Sequence, residues 1–311
     1  MSEPILHHYP TSPFAEKIRL ILGHKGLAWK SVHIPRIMPK PDVLALTGGY
    51  RRTPFLQIGA DIWCDTTLIA EVLDHLQPEP PLYPAHARGL SRVLAQWADG
   101  TLFWAAMGHN LSPKGAAALF AGQPPEAAAA FAADRGAMRT NMTVLRPTDA
   151  TSAYRSYLRR LSSMLDDQPF LLGEIPCIAD FAAYHPLWFS RVVNPAMAGV
   201  LDATPDVLEW MDRMAAIGHG QVGKATSAEA IALAAATEPT ALDTTVFQDD
   251  HGIPLGSLVT VAADSFGTEA TEGELVAATR TRYTLRRTDA RAGVVHVHFP
   301  RIGYALKKVA A

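Results

Sequence analysis

The stretch Ser12-Pro13-Phe14-Ala15-Glu16-Lys17-Ile18-Arg19-Leu20 decides how the chain is read. Serine before proline is a helix start. The hydroxyl can cap the first turn, and proline suits the first helical position because its missing N–H would have no partner there. Phe14, Ile18, Ile21 and Leu22 recur at i, i+4, i+7 and i+8, one face of that helix. Just upstream, Ile5-Leu6-His7-His8-Tyr9 reads as a short strand. A hydroxyl thus stands where a strand turns into a helix N-terminus, beside unpaired N–H groups and a partial positive charge. It can donate to a nearby anion there. The natural anion is a thiolate, because such surroundings acidify a thiol from its usual pKa of about 8.5. Alone, Ser12 reads as a plain N-cap.

Working outward, Val32-His33-Ile34 is a second strand, and residues 55–58 and 61–64, separated by Gly59-Ala60, form a hairpin. Asp65 then caps a helix with apolar positions Ile69, Val72, Leu73 and Leu76. The order β-α-β-α-β-β-α is an α/β layer. It carries two further features. Arg52-Thr53-Pro54 precedes a strand; a cis bond there would turn the N–H and C=O of Thr53 outward to pair with an extended peptide, while a trans bond makes an ordinary turn. At Asp65-Thr66 a carboxylate could hold an ammonium, and a hydroxyl with the first helical N–H groups could hold a carboxylate. The two together suit the amino-acid end of a γ-glutamyl peptide, and alone they read as a helix cap.

Gln77 to Gly89 contains four prolines and marks a linker. Helical stripes follow, among them Leu90, Val93, Leu94 and Trp97, then Tyr154, Tyr157, Leu158, Leu161 and Leu165, then Val207, Trp210, Met211 and Met214; Ser227 is expected to cap a short helix ending near Thr237. Residues 238–254 form a second linker, after which short β-branched runs to Phe299 suggest a small barrel or curled sheet. The expected domains are 1–80 (α/β), 88–237 (all-α) and 250–311 (small, all-β, barrel-like).

With 311 residues of which 48% are apolar, two or three domains with sizeable cores are available. The formal net charge of -2 gives no overall attraction to nucleic acid or acidic membranes, and neither is expected as a partner. The first ten residues do not read as a signal peptide, and no apolar run is long enough to span a bilayer. Two isolated cysteines, Cys64 and Cys177, fit a reducing cytosol and exclude a Cys-x-x-Cys dithiol. The histidines at 7 and 8 alternate across a strand, so one is expected to face the core. His296 and His298 share a strand face, but no carboxylate or cysteine lies at a suitable local spacing, and no metal is expected. From Arg280 onward there are eight Lys or Arg and one acid, whereas Asp243 to Glu274 holds seven acids and no Lys or Arg, so these halves are expected to pair across strands.

A strand with Ser-Pro-Phe, an Arg-x-Pro about 40 residues later and an acid–hydroxyl pair 11 residues beyond Pro54 resembles the cytosolic glutathione transferases. Serine classes such as the plant tau class carry Ser-Pro-Phe here; the omega class carries Cys-Pro-Phe-Ala-Glu. The resemblance implies a thioredoxin-like glutathione-binding domain, a helical substrate and dimer domain, and glutathione as co-substrate without a metal. It implies that Ser12 activates the thiolate, with Tyr9 as the alternative. Thr53 beside Pro54 would pair with the cysteinyl backbone, Asp65 and Thr66 would hold the γ-glutamyl end, and Arg52 would lie near the glycyl carboxylate, with Phe14 in the same site. Met38, Trp104 and Met107 would line the pocket for a hydrophobic electrophile. Serine in place of cysteine argues against mixed-disulfide reduction. Residues 170–181 resemble the family's Ser/Thr-Ile-Ala-Asp helix start, except that Cys177 replaces the hydroxyl, so Asp180 is expected to carry the capping. The implied protein is a cytoplasmic homodimeric transferase serving detoxification. The alternatives are a non-catalytic glutathione-binding module, or a glutathione-dependent isomerase, dehalogenase or peroxidase. The resemblance covers about 1–237; residues 240–311 have no counterpart in it.

Overall fold

The computed structural model describes residues 2–139, 142–242 and 247–309. The chain opens with β1 (Ile5–His8), α1 (Pro13–His24), β2 (Ala28–His33), α2 (Pro41–Thr47), β3 (Phe55–Ile58), β4 (Asp61–Cys64) and α3 (Thr66–Leu76), the thioredoxin-like layer. β1 is parallel to β2 and antiparallel to β3, which forms a hairpin with β4. Both histidines of β1 are buried, not one, because the sheet has an apolar core on each face. His7 stacks on Phe55 with ring centroids 4.2 Å apart, and His8 lies against Ser31 and Arg19.

The helical domain contains α4 (Arg88–Trp97), α5 (Phe103–Asn110), α6 (Pro113–Leu119), α7 (Pro125–Met138), α8 (Pro147–Met164), α9 (Ile178–Trp188) and α10 (Pro205–Ala216). One core joins Ile18, Ile21 and Leu22 of α1 to Leu158 of α8, Phe181 of α9 and Trp210 of α10. At the start of α9 the buried Asp180 accepts N–H bonds from Cys177 (2.9 Å), Leu171 (2.8 Å) and the Trp210 indole (3.0 Å). No helix among the described residues is long and apolar enough to cross a membrane. Cys64 and Cys177 are free and buried.

Three features depart from expectation. First, the stretch read as all-helical contains a strand, β5 (Gln221–Lys224), parallel to β2, followed by α11 (Ser227–Ala235). The cap of α11 is Thr226, not Ser227; its hydroxyl accepts from the Glu229 N–H while the Glu229 carboxylate returns to the Thr226 N–H.

Second, the C-terminal strands β6 (Leu258–Ala263), β7 (Thr271–Ala278), β8 (Arg282–Asp289), β9 (Gly293–Pro300) and β10 (Tyr304–Lys308) are neither a barrel nor an independent unit. β9 pairs in parallel with β4, giving one open ten-stranded sheet in the order β10-β6-β7-β8-β9-β4-β3-β1-β2-β5. An unpaired β4 would leave a bare hydrogen-bonding edge, and β9 covers it. Below this sheet, Ile5, Val32, Phe55 and Ile62 share a core with Val43 and Leu46 of α2, Ile231 of α11, and Val259, Leu285, Val297 and Phe299. Asp61 on β4 receives the Thr240 N–H and hydroxyl (2.9 and 2.7 Å) and lies 3.0 Å from His298 Nε2. The histidine pair therefore meets a carboxylate that is remote in sequence. No group of three or more His, Cys, Asp or Glu placed to hold a metal occurs among the described residues.

Third, the basic C-terminal half does not pair wholly with the acidic half. Arg286 meets Glu274 and Arg301 meets Asp250 (both 2.6 Å), but Arg291 reaches Asp42 and Arg287 approaches the Ala45 carbonyl, both on α2. Residues 243–246 of the second linker, which include the first acid of that stretch, lie outside the described residues.

Candidate functional site

A cavity of about 500 Å³ opens between the thioredoxin-like layer, α5, α7 and the loops of the C-terminal strands. Ser12 lines it at the N-terminus of α1 and is 2% exposed. Its oxygen accepts the Ala15 N–H at 3.3 Å, and its hydroxyl donates to no described group, so that proton is available to the cavity. The charged residues of the quoted stretch hold this turn in place. Arg19 reaches Glu16 (2.5 Å), His8 (3.1 Å) and the Pro10 carbonyl (3.0 Å), and Lys17 bonds Asp99 (2.5 Å) and the Thr66 hydroxyl oxygen (3.3 Å). Burial works against ionisation of Asp99, but Lys17 and His185 overcome it and hold its carboxyl below the usual range.

Across the cavity the Thr53–Pro54 bond is cis, and neither the N–H nor the C=O of Thr53 is paired among the described residues. Lys40 approaches the Thr53 hydroxyl at 3.5 Å and the Arg51 carbonyl at 3.4 Å. Burial lowers the Lys40 ammonium to about 8, with Arg135 adding to the effect. Asp65 caps α3 from a left-handed backbone, φ 75°, which carries strain for a residue with a side chain. Its N–H donates to the Tyr50 hydroxyl at 3.0 Å and one carboxylate oxygen takes the Thr67 N–H at 2.9 Å. The other oxygen receives the Tyr304 hydroxyl at 3.1 Å and lies 3.6 Å from Arg52. Thr66, next in line, keeps its own N–H unpaired among the described residues.

Ser12, Phe14, Arg52, Thr53, Pro54, Asp65, Thr66, Trp104 and Met107 thus line one cavity, with Tyr9 at its rim. Phe14 packs on Phe103 (4.6 Å) and His185 (4.5 Å). The Tyr9 hydroxyl is taken by Arg135 at 3.3 Å. Met38 does not line the cavity; it sits on the approach to α2 with its N–H on Asp134. Arg52 is turned toward the C-terminal strands, with its Nε on the Phe266 carbonyl at 2.5 Å.

Sequence reasoning missed Arg36, Lys40, Tyr50, Arg135, Phe266 and Tyr304, all of which line this cavity. Phe266 packs 5.2 Å from Trp104, and Gly267 donates its N–H to the Met138 carbonyl of α7 at 2.8 Å. Nothing local in the sequence reveals that the loop at Gly267 closes a wall formed more than 100 residues away.

The family model for the N-terminal domain of glutathione S-transferase matches residues 6–81, and that for the C-terminal domain matches residues 125–213. The crystal structure of a GST-like protein from Pseudomonas syringae superposes with a TM-score of 0.83 at 42% identity, covering 99% of this chain and 100% of that one. A glutathione S-transferase from Rhodospirillum rubrum F11 superposes at 0.52 with 21% identity over 67% of this chain and 86% of its own. FtsZ-localized protein A of Caulobacter vibrioides is 27% identical over 220 residues, 69% of this chain and 83% of that protein. The similarity to the Pseudomonas protein thus extends through the C-terminal strands.

Proposed function

Because the chain belongs to the glutathione S-transferase family, we propose that its cavity binds glutathione and activates the thiolate for attack on an electrophile. The observation that carries this reading is the hydroxyl proton of Ser12, which faces a cavity whose other side presents the main chain of Thr53, both without a partner among the described residues. Thr53 pairs with the cysteinyl backbone as an added strand would. Thr66, through its N–H and hydroxyl, takes the γ-glutamyl carboxylate, and Asp65 faces the ammonium. Lys40 attracts the glycyl carboxylate. Ser12 donates to the sulfur as the thiol proton leaves to solvent; the new sulfur–carbon bond forms as the leaving group departs with its electron pair. Donors fixed before reaction stabilise the developing charge without reorganising.

Ser12→Ala should lower kcat/KM for conjugation about 10²-fold, the usual loss for one such donor, with calorimetric glutathione affinity changed little. Unchanged turnover would shift the role to Tyr9 or to main-chain N–H groups. No glutathione binding by the wild type would overturn the proposal. One observation favours a second reading, a glutathione-binding module without turnover: Tyr304 and Arg52 already occupy the Asp65 carboxylate. Binding without conjugation across a broad electrophile panel would select it.

The family reading also carries a homodimer. Leu90 and Val93, neighbours on one face of α4, are 58% and 65% exposed, an apolar face that a second copy would cover. Leu90→Glu combined with Val93→Glu should convert a dimer to a folded monomer in light scattering; a wild-type monomer, or a double variant that stays dimeric, excludes this interface.

A further inference from the structure

The cavity wall beyond Ser12 is cationic, and its charges are not all neutralised. Arg51 and Arg135 both pair with Asp134, and Arg51 also reaches Glu269 at 2.6 Å. Arg52 faces Asp65. Asp134 is shared further, because its Oδ1 also takes the Met38 N–H. Arg36, Lys40 and Arg139 line the same cavity with no carboxylate within 4 Å among the described residues.

Arg36 is the most isolated. Its guanidinium forms no hydrogen bond among the described residues, and its Nε is buried without a partner. Two rings position it instead: Phe131 at 5.2 Å and Phe120 at 6.0 Å from the guanidinium carbon. Arg135 lies over the same Phe131 ring at 4.6 Å and links Tyr9 to the Arg36 carbonyl. Rings that hold a fork of N–H donors facing a cavity form a receptor for a planar anion attached to an apolar body. Lys40 and Arg52 flank Thr53, where the glycyl end of glutathione belongs; Arg36 and Arg135 stand beside Tyr9, on the side of the second substrate.

We propose that the electrophile carries a carboxylate, received by Arg36 against Phe131. This deepens the glutathione transferase reading and rests on it. It differs from the expectation of a merely hydrophobic electrophile.

The test uses the full-length protein and two matched aryl chlorides, 4-chloro-3,5-dinitrobenzoate and its neutral carboxamide. With each, the glutathione sulfur bonds to the ring carbon bearing chlorine, chloride leaves with the bonding pair, and the thiol proton passes to solvent. Each kcat/KM is divided by the spontaneous rate with glutathione in the same buffer. The normalised value for the carboxylate should exceed that for the carboxamide by about tenfold or more, in line with a charge-assisted hydrogen bond in a partly buried site. Arg36→Gln should bring the ratio to about one, and Arg36→Lys, which keeps the charge, should retain most of it, with unfolding midpoints confirming that both variants fold. A ratio near one in the wild type, or one unchanged in Arg36→Gln, overturns the proposal. So does a raised KM for glutathione in Arg36→Gln with the ratio preserved, which would assign Arg36 to the glycyl end. If glutathione itself does not bind, the transferase reading fails separately. Calorimetry of the benzoate against the carboxamide on the free protein then decides the anion site alone: carboxylate-selective binding lost in Arg36→Gln supports it, and equal binding sinks it.

Discussion

A chain ending at Thr237 should not accumulate as a soluble, cooperatively folded protein. Ordinary domain logic suggests the opposite, because residues 1–237 contain everything the family models match. The packing argues against that. In the second core, Ile5, Val32, Tyr50, Phe55 and Ile62 face Val259, Leu285, Val297 and Phe299. Exposing a large apolar side chain costs about 1.5–3 kcal/mol, so uncovering three of them costs roughly 5–9 kcal/mol, comparable with a whole domain's stability of about 5–15 kcal/mol. The deletion also bares the β4 edge, where Asp61 would lose its contact with His298 as well. The chain is shaped for this docking: a Cβ added at Gly49 would lie 2.0 Å from the Ala270 carbonyl oxygen. Soluble yield and a melting curve of the truncated chain decide the matter. A cooperative transition with undiminished glutathione affinity would show that the extension is a separable accessory.

Acidification from pH 7 to pH 5 should weaken the fold steeply through its buried histidines. Burial lowers His7 to about 4 and His8 to about 3. For His8 the geometry gives the reason: Arg19 donates to Nδ1, so a proton there would set two donors against each other. In His7, Nε2 donates to the Gln57 side-chain oxygen, whose amide nitrogen is committed to the Gly59 and Ala230 carbonyls. Both groups have folded-state values below the unfolded 6.5, so below 6.5 the unfolded chain binds more protons and stability falls as pH falls toward 4. At pH 5 each of these two histidines contributes a loss of about 2 kcal/mol, and His24 and His298, also lowered to about 4 by burial, act in the same direction, so the free energy of unfolding in urea should drop by at least about 4 kcal/mol between pH 7 and pH 5. A urea midpoint that stays flat over that interval would refute the assignment. Because Arg19 also holds Pro10 and Glu16, the same protonation loosens the turn that presents Ser12, and glutathione binding should weaken in parallel.

The sequence alone determined what depends on neighbours along the chain. The Ser12-Pro13 helix start, the hairpin at Gly59-Ala60 and the Asp65 cap are local, set by capping, turn chemistry and side-chain period, and all three stand where they were read. Spacing between such marks was enough to bring Ser12, Thr53 and Asp65 to one site, because it matches a known family's layout. Tertiary structure alone decided what depends on pairings between distant segments. Glu16, Lys17 and Arg19 look like the polar face of a surface helix, yet are 4%, 1% and 6% exposed, because the helical domain docks on that face and supplies Asp99 and His219. Period places a residue on a face but does not say what covers that face. The C-terminal strands show the same limit. Their alternation announces strands but not the sheet they join, and the β4–β9 pairing, about 235 residues apart, brings Tyr304 and Phe266 onto the site that Ser12 opens.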